Sequence, residues 1–273
     1  MRIAITGSKG QLGTALQAIL AEEHLLLIDL PEDDITDYRH IRERIADFAP
    51  DVVIHGAAYT NVDGCEEQPE LAYRANALGS RNVALACQAC NAAMVCISTD
   101  YVFDGLKGEP YWEFDDPHPL SVYGHSKLAG ERMVQSLLQR YYIVRTAWLY
   151  SKSGNNFVNT VLRLADQRDE LHMVTDEVGA PTYAADLAEA VAKLIHHPAY
   201  GIYHFTNQGT CSRFEWARRV LDLAGKPDYR LLPSTNYKRL AKVPAQVEIR
   251  NFCGATLGIT LRSWSEALED FFK

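Results

Sequence analysis

Thr6-Gly7-Ser8-Lys9-Gly10-Gln11-Leu12-Gly13 joins an apolar run at residues 2–6 to a segment of helical periodicity at 11–21. Its glycines fall in the spacing G-x-x-G-x-x-G at the change from strand to helix. Glycine permits the tight turn there and lets the backbone approach a pyrophosphate, while N–H groups at the helix start point at the anion. In that setting Gly7, Gly10, Gln11, Leu12 and Gly13 are read as a dinucleotide-binding turn; without the flanking strand and helix the same glycines would be only a connection.

Leu25-Leu26-Leu27-Ile28-Asp29 supplies the next strand and completes a βαβ unit. The alternation continues with a helix near 38–48 capped by Thr36, a strand at 52–55, a helix near 70–91 entered at Pro69, a strand at 93–98, a helix near 121–139 and a strand at 141–145. Near-continuous apolar strands separated by helices predict a parallel sheet covered on both faces. The expected fold is therefore α/β, a doubly wound parallel sheet of Rossmann type, with residues 1–150 as the dinucleotide-binding domain. Beyond 150 the regularity weakens to a helix near 156–168, a strand near 171–174, a helix at 185–197, a strand at 202–206 and helices at 213–224 and 263–272. Residues 151–273 are read as a smaller, mixed, substrate-binding part that walls a cleft, with about 185–206 returning to the main sheet.

Composition narrows the partners. The 273 residues are 47% hydrophobic and 23% charged, enough to bury a large core. A net charge of -8 with no dense Lys/Arg cluster argues against nucleic acid. No apolar run reaches the roughly 20 residues that span a bilayer, and Met1-Arg2-Ile3-Ala4-Ile5 lacks the pattern of an export signal. The six cysteines lie mostly in apolar segments, so reduced thiols and a cytoplasmic location are expected. Cys87-x-x-Cys90 falls inside a helix with no second pair at zinc spacing, and reads as helix packing rather than a metal or redox site. Monomer and homodimer stay equally open.

Asp29 ends the second strand, where a carboxylate can accept from the adenosine ribose hydroxyls and repel a 2′-phosphate. With no arginine beside it, NADH is favoured slightly over NADPH; the competing reading is a solvated strand end. Asp34 and Ile35 are expected near the adenine, and Ala57-Ala58-Tyr59 beneath the cofactor unless they form an ordinary strand-end turn.

Tyr123 and Lys127, four apart at the start of a helix, share one face. Reducing a ketone requires a proton for the developing alkoxide, and a phenol with a pKa of about 10 is a sluggish donor and acceptor at neutral pH. A nearby ammonium stabilises the tyrosinate and can also hold the nicotinamide ribose. A lone Y-x-x-x-K is usually a surface helix; here it follows Ile97-Ser98-Thr99-Asp100, a strand ending on the carboxyl edge of the sheet where ligands bind. Thr99 can hydrogen-bond the carbonyl or tune Tyr123, and Asp100 and Tyr101 can meet substrate hydroxyls or serve the strand end. Trp148 ends the next strand, as a stacking surface for a sugar or as core. His125 turns to another face, and Glu131 and Arg132 read as solvated helix surface.

These motifs resemble the extended short-chain dehydrogenases, and within them the dTDP-4-dehydrorhamnose reductases. The resemblance rests on Ile5-Thr6-Gly7 through Gly13, Ala57-Ala58-Tyr59-Thr60-Asn61-Val62-Asp63, Asn76, Ser98-Thr99-Asp100-Tyr101-Val102-Phe103-Asp104-Gly105, Tyr123 with Lys127, Arg145-Thr146-Ala147-Trp148, Gly179-Ala180-Pro181-Thr182-Tyr183 and Asp186-Leu187-Ala188. It implies an NAD(P)H-dependent oxidoreductase that reduces the 4-keto group of dTDP-6-deoxy-L-lyxo-4-hexulose to dTDP-L-rhamnose for surface polysaccharide synthesis. It also implies Tyr123 as proton donor, Lys127 as its partner and ribose ligand, Thr99 as tuner, and Thr99, Asp100 and Trp148 as sugar contacts. Reduction of another nucleotide-linked 4-keto sugar, or a non-catalytic dinucleotide-binding subunit, are the alternatives. Lys242-Val243-Pro244-Ala245-Gln246 departs from the Arg-Pro and serine of relatives. Acidic residues for a metal-linked dimer are not matched, so no metal ligand is assigned and magnesium stays open.

Overall fold

The computed structural model describes residues 1–235 and 237–273. The principal elements are β1 (Arg2–Thr6), α1 (Gln11–Ile19), β2 (His24–Ile28), α2 (Tyr38–Phe48), β3 (Val52–His55), α3 (Ser80–Cys90), β4 (Ala93–Thr99), α4 (Val122–Leu137), β5 (Tyr141–Thr146), α5 (Phe157–Gln167), α6 (Ala184–Leu194), β6 (Gly201–His204), α7 (Arg213–Leu223) and α8 (Trp264–Phe271).

Six strands form one all-parallel sheet in the order β6-β5-β4-β3-β1-β2. Successive side chains of β1 point to opposite faces. Ile3 and Ile5 join Leu12 and Leu16 of α1 and Leu187 and Val191 of α6. Ala4 joins Ile41 and Ile45 of α2, Val83 and Cys87 of α3, and Val134 of α4. Every residue of β3 and β4 is buried, the mark of strands covered on both sides. This is the doubly wound arrangement expected from the apolar runs. The chain leaves β1 toward β2 and returns to β3 on the other side, so the strand order reverses at β1, and there the carboxyl ends open a cleft.

A third core, with Tyr150, Val158, Leu171, Trp216, Val220 and Leu268, lies among α5, α7 and α8. Three two-stranded pairings brace this region, one of which joins Leu149–Tyr150 to Thr182–Tyr183. No helix among the described residues is long and apolar enough to cross a membrane.

Local differences from the sequence reading have physical causes. The N-cap of α2 is Asp37, which accepts from His40 N at 3.1 Å, rather than Thr36. The helix expected near 70–91 is divided: Pro69–Tyr73, then a π-helical segment Arg74–Gly79, then α3. The wider turn aims the Asn76 side chain at two other segments instead of along its own helix, and such insertions recur at functional sites. Cys87 and Cys90 do lie in α3, where burial pushes both thiols up.

Candidate active site

Gly7 sits at φ +71, and a Cβ there would stand 2.7 Å from Ala57 N. The β1–α1 turn therefore presses against the end of β3 as only glycine allows. Gly13 is held more tightly than Gly7: its Cβ would lie 2.2 Å from Gly7 O, because α1 packs directly onto the turn. Gly13→Ala must displace that turn, and should weaken dinucleotide affinity by at least about tenfold, measured by cofactor fluorescence titration, with a smaller loss of melting temperature.

The turn opens on a cleft of about 1150 Å³. Gly7, Gly10, Gln11, Leu12, Gly13, Asp29, Asp34, Ile35, Ala57, Ala58, Tyr59, Thr99, Tyr123, Lys127 and Trp148 all line it. Asp100 and Tyr101 stand outside that lining, behind Thr99, and Asp100 is 2% exposed. Asp29 accepts from Lys9 N at 2.7 Å and Leu30 N at 2.8 Å, so the strand-end carboxylate is fixed by backbone amides. Gln11 has a second partner set: its Oε1 accepts from Ser151 Oγ and Asn156 Nδ2. It thereby ties the cofactor turn to the loop preceding α5.

A buried polar chain links the cleft floor to α4. Thr6 Oγ1 meets His55 Nδ1 at 2.7 Å, and His55 Nε2 meets Ser80 Oγ at 3.0 Å. Ser80 spends its one proton on Asn76 O, so His55 carries its hydrogen on Nε2 and accepts from Thr6. Burial, reinforced by the Lys127 charge, pushes His55 down to about 3 and keeps it neutral. Asn76 exchanges two hydrogen bonds with the Tyr59 backbone and donates to Ser126 Oγ, which donates in turn to Tyr123 O. The π-helical segment thus sets both the loop after β3 and the first turn of α4.

Ser121 caps α4 by accepting from Gly124 N, which starts the helix just before Tyr123. Tyr123, Lys127 and Glu131 then follow at four-residue steps on one face. Lys127 is 6% exposed, and its Nζ donates to Ile97 O at 2.7 Å. Burial lowers its proton affinity, partly offset by Cys96 and Glu131. Burial also raises the Tyr123 phenol, against a downward pull from the Thr99 hydroxyl and with upward pushes from Asp100, Tyr101 and Cys65. Thr99 Oγ1 donates to Asp100 Oδ1 at 3.0 Å and accepts from Tyr101 N. Asp100 is pushed up to about 7 by burial, despite that hydroxyl and Arg213, and its Oδ2 is buried without a hydrogen-bond partner. A hydroxyl, a phenol and an ammonium at one cleft wall can bind a carbonyl oxygen and deliver a proton to it.

The reading of Glu131 as solvated surface is overturned. It is 1% exposed and forms a two-pronged pair with Arg145 of β5, itself 2% exposed, at 3.0 and 2.8 Å. Ser98, next to Thr99, donates to the same carboxylate. His125, by contrast, is exposed on another face of α4.

Trp148 has φ +43, a left-handed conformation that a bulky side chain adopts only under constraint. Gly179 fits against its indole, where a Cβ would lie 2.6 Å from Cε2. Arg213, not singled out from the sequence, lies over the same ring with Cζ 3.5 Å from the centroid. The unusual 242–246 stretch is sewn elsewhere: Ala245 O accepts from Val178 N, and Gln246 O lies near Gly105. None of its residues lines the cleft. Among the described residues no group of three or more His, Cys, Asp or Glu is placed to hold a metal ion.

The sequence matches the RmlD substrate binding domain family over residues 1–273. The dTDP-4-dehydrorhamnose reductase of Aggregatibacter actinomycetemcomitans is 38% identical, covering 98% of this chain and 97% of its own. The spore coat polysaccharide biosynthesis protein SpsK of Bacillus subtilis is also 38% identical, covering 100% and 97%. Among solved structures, dTDP-4-dehydrorhamnose reductase from Bacillus anthracis in complex with NADP superimposes with a TM-score of 0.95 at 43% identity, covering 99% of this chain and 98% of that one.

Proposed function

The chain belongs to the RmlD substrate binding domain family, that of the dTDP-4-dehydrorhamnose reductases, and we propose from that premise that it reduces the 4-keto group of dTDP-4-dehydrorhamnose to give dTDP-L-rhamnose. The observation that carries the reading is the convergence of Thr99, Tyr123 and Lys127 on the cleft that also holds the glycine turn. Residues 1–150, completed by the strand at 201–204, form the cofactor side in this reading, and the remainder of 151–273 the substrate side.

The cradle fits a nicotinamide dinucleotide, since the space a Cβ would fill at Gly7 and Gly13 is taken by backbone closing around the turn. When bound, the reduced cofactor supplies a hydride to the carbonyl carbon. Tyr123 donates its phenolic proton to the carbonyl oxygen. Lys127, one turn further along the same helix face, supplies the positive charge that favours the tyrosinate and offers its ammonium to the nicotinamide ribose. Thr99 turns its one hydroxyl proton from Asp100 Oδ1 to the carbonyl oxygen as charge develops there.

For cofactor choice, Asp29 supports a mild preference for NADH, since its carboxylate stands where a 2′-phosphate would be repelled. Asp29→Ala is expected to raise the NADPH-to-NADH ratio of kcat/KM by about tenfold, read from initial rates with each cofactor; an unchanged ratio removes Asp29 as the determinant. The six cysteines are unpaired, which supports a reducing, cytoplasmic setting for the reaction. The assay for the function is loss of absorbance from NADH or NADPH on adding the dTDP-4-keto sugar. Stoichiometric oxidation is expected, with none when dTDP alone is added.

A further inference from the structure

Asp100 stands behind the reaction centre rather than in it. It opens the 3-10 turn Asp100–Val102 directly after β4, is buried and lies outside the cleft lining, whereas its neighbour Thr99 lines the cleft. Its carboxyl group is bonded on one side only. Oδ1 accepts from Thr99 Oγ1 at 3.0 Å, while Oδ2 is buried without a hydrogen-bond partner. The groups that face it give an ionised form little support. Arg213 of α7 is the cation that acts on it, but Arg213 pairs with Glu177 at 3.5 Å, which also takes Arg239 at 3.4 Å. Tyr101 beside it and Tyr123 of α4 are phenols whose proton affinity burial raises. Burial therefore outweighs the Thr99 hydroxyl, Arg213 and the amides of Asp100 and Tyr101, and lifts the carboxyl to about 7.

The Thr99 hydroxyl has two positions that accept and one proton to give. Tyr101 N already donates to it at 3.2 Å. With Asp100 ionised, the Thr99 proton is drawn to Oδ1, and turning it to the cleft would take from a buried carboxylate its only side-chain hydrogen bond among the described residues. With Asp100 protonated, the acid O–H donates to Thr99 Oγ1 across the same 3.0 Å, both accepting positions are filled, and the Thr99 proton is free for the cleft. Tyr123 responds in the same sense: a charged Asp100 pushes the phenol up and makes it a weaker acid, and a neutral one does not.

We infer that Asp100 acts in its protonated form, as a positioning residue that turns the Thr99 hydroxyl toward the keto oxygen, rather than as a contact to the sugar. The inference rests on the reading of Thr99 and Tyr123 as the groups that meet that oxygen. It involves no net proton transfer from Asp100, which keeps its proton while that of Tyr123 goes to the oxygen.

Two measurements test it. Infrared difference spectra of wild type against Asp100→Asn, taken without substrate, read the carboxyl directly: the carbonyl band of a protonated acid is expected at about pH 6 and should give way to carboxylate as pH rises through about 7. Single-turnover oxidation of the cofactor by the keto sugar reads the role. The wild-type rate is expected to fall about tenfold to a plateau over that range, at lower pH than the decline set by Lys127. Asp100→Asn, whose amide can donate to Thr99 but cannot ionise, should show no such step. Asp100→Leu, which can do neither, should also lack the step and run about tenfold slower than wild type at about pH 6. A carboxylate band alone at about pH 6, the same step in Asp100→Asn, or an asparagine variant as slow as the leucine one overturns the inference. A protonated band in a chain that reduces no keto sugar would contradict the proposed reaction while supporting the inference about Asp100.

Discussion

Tyr123→Phe is expected to lower kcat for keto-sugar reduction by roughly 10³-fold, within the range that removal of a positioned proton donor produces. NADPH affinity should stay within about twofold, since the cofactor cradle is built by the glycine turn and the loop after β3. The substitution keeps the ring, which packs edge-on against Tyr101 with centroids 5.7 Å apart, so α4 retains its start and Lys127 its place. A fall in kcat with unchanged cofactor binding identifies lost proton transfer; equal losses in both would mean that the helix had moved. The pH profile carries the same assignment. Reduction needs the phenol protonated and the ammonium charged. Burial lowers the proton affinity of Lys127, so kcat/KM should decline as pH rises through a value below the ordinary lysine pKa of 10.5. Glu131 opposes that lowering, so Glu131→Gln should bring the alkaline decline to lower pH.

Glu131→Ala should produce the largest loss of stability, about 3–5 kcal/mol, because it leaves a buried guanidinium without its counter-charge. Arg145 would keep the Phe103 ring, 5.1 Å from its Cζ, and the contact with His204 Nε2 at 3.5 Å, but neither is an anion: His204 is itself pushed down to about 3 by burial and by that same arginine, so it stays neutral. For a chain of this size the melting temperature should fall by roughly 10 °C. Scanning calorimetry reads it directly, and a fall under about 2 °C would mean that the pair is not buried as described. Replacing both partners together, as Glu131→Leu with Arg145→Met, should recover much of the loss, since apolar pairs of similar volume often replace buried ion pairs at little cost. The pair also joins the strand end carrying Thr99, through Ser98, to the helix face carrying Tyr123 and Lys127. Its loss should therefore raise KM and lower kcat in the surviving folded fraction.

The sheet was legible because its strands are short apolar runs that alternate with helices, the pattern of a parallel sheet covered on both faces. The glycine turn and the Tyr123–Lys127 pair were legible because their chemistry depends on local spacing. What escaped depends on contacts between distant segments. Glu131 looked like a solvated charge next to Arg132, although its four-residue step from Lys127 puts it on the inward face of α4; only the partner at Arg145, fourteen residues on and across the sheet, explains why a carboxylate can be buried there. The interruption at Arg74–Gly79 has no strong local breaker beyond its final glycine, and its purpose lies at Tyr59 and Ser126. Arg213 follows a Ser-x-x-Glu capping pattern that was readable, but its seat on Trp148 joins positions 65 residues apart. The unusual 242–246 stretch packs on Val178 and near Gly105, contacts between distant segments that its local sequence does not announce.

The most direct test of the proposed reaction is a proton NMR spectrum of the nucleotide sugar formed when the chain, dTDP-4-dehydrorhamnose and reduced cofactor are incubated together. A single product whose ring signals match dTDP-L-rhamnose is predicted, at one equivalent per cofactor oxidised. Recovery of unreacted keto sugar, or of the product epimeric at C4, would contradict it.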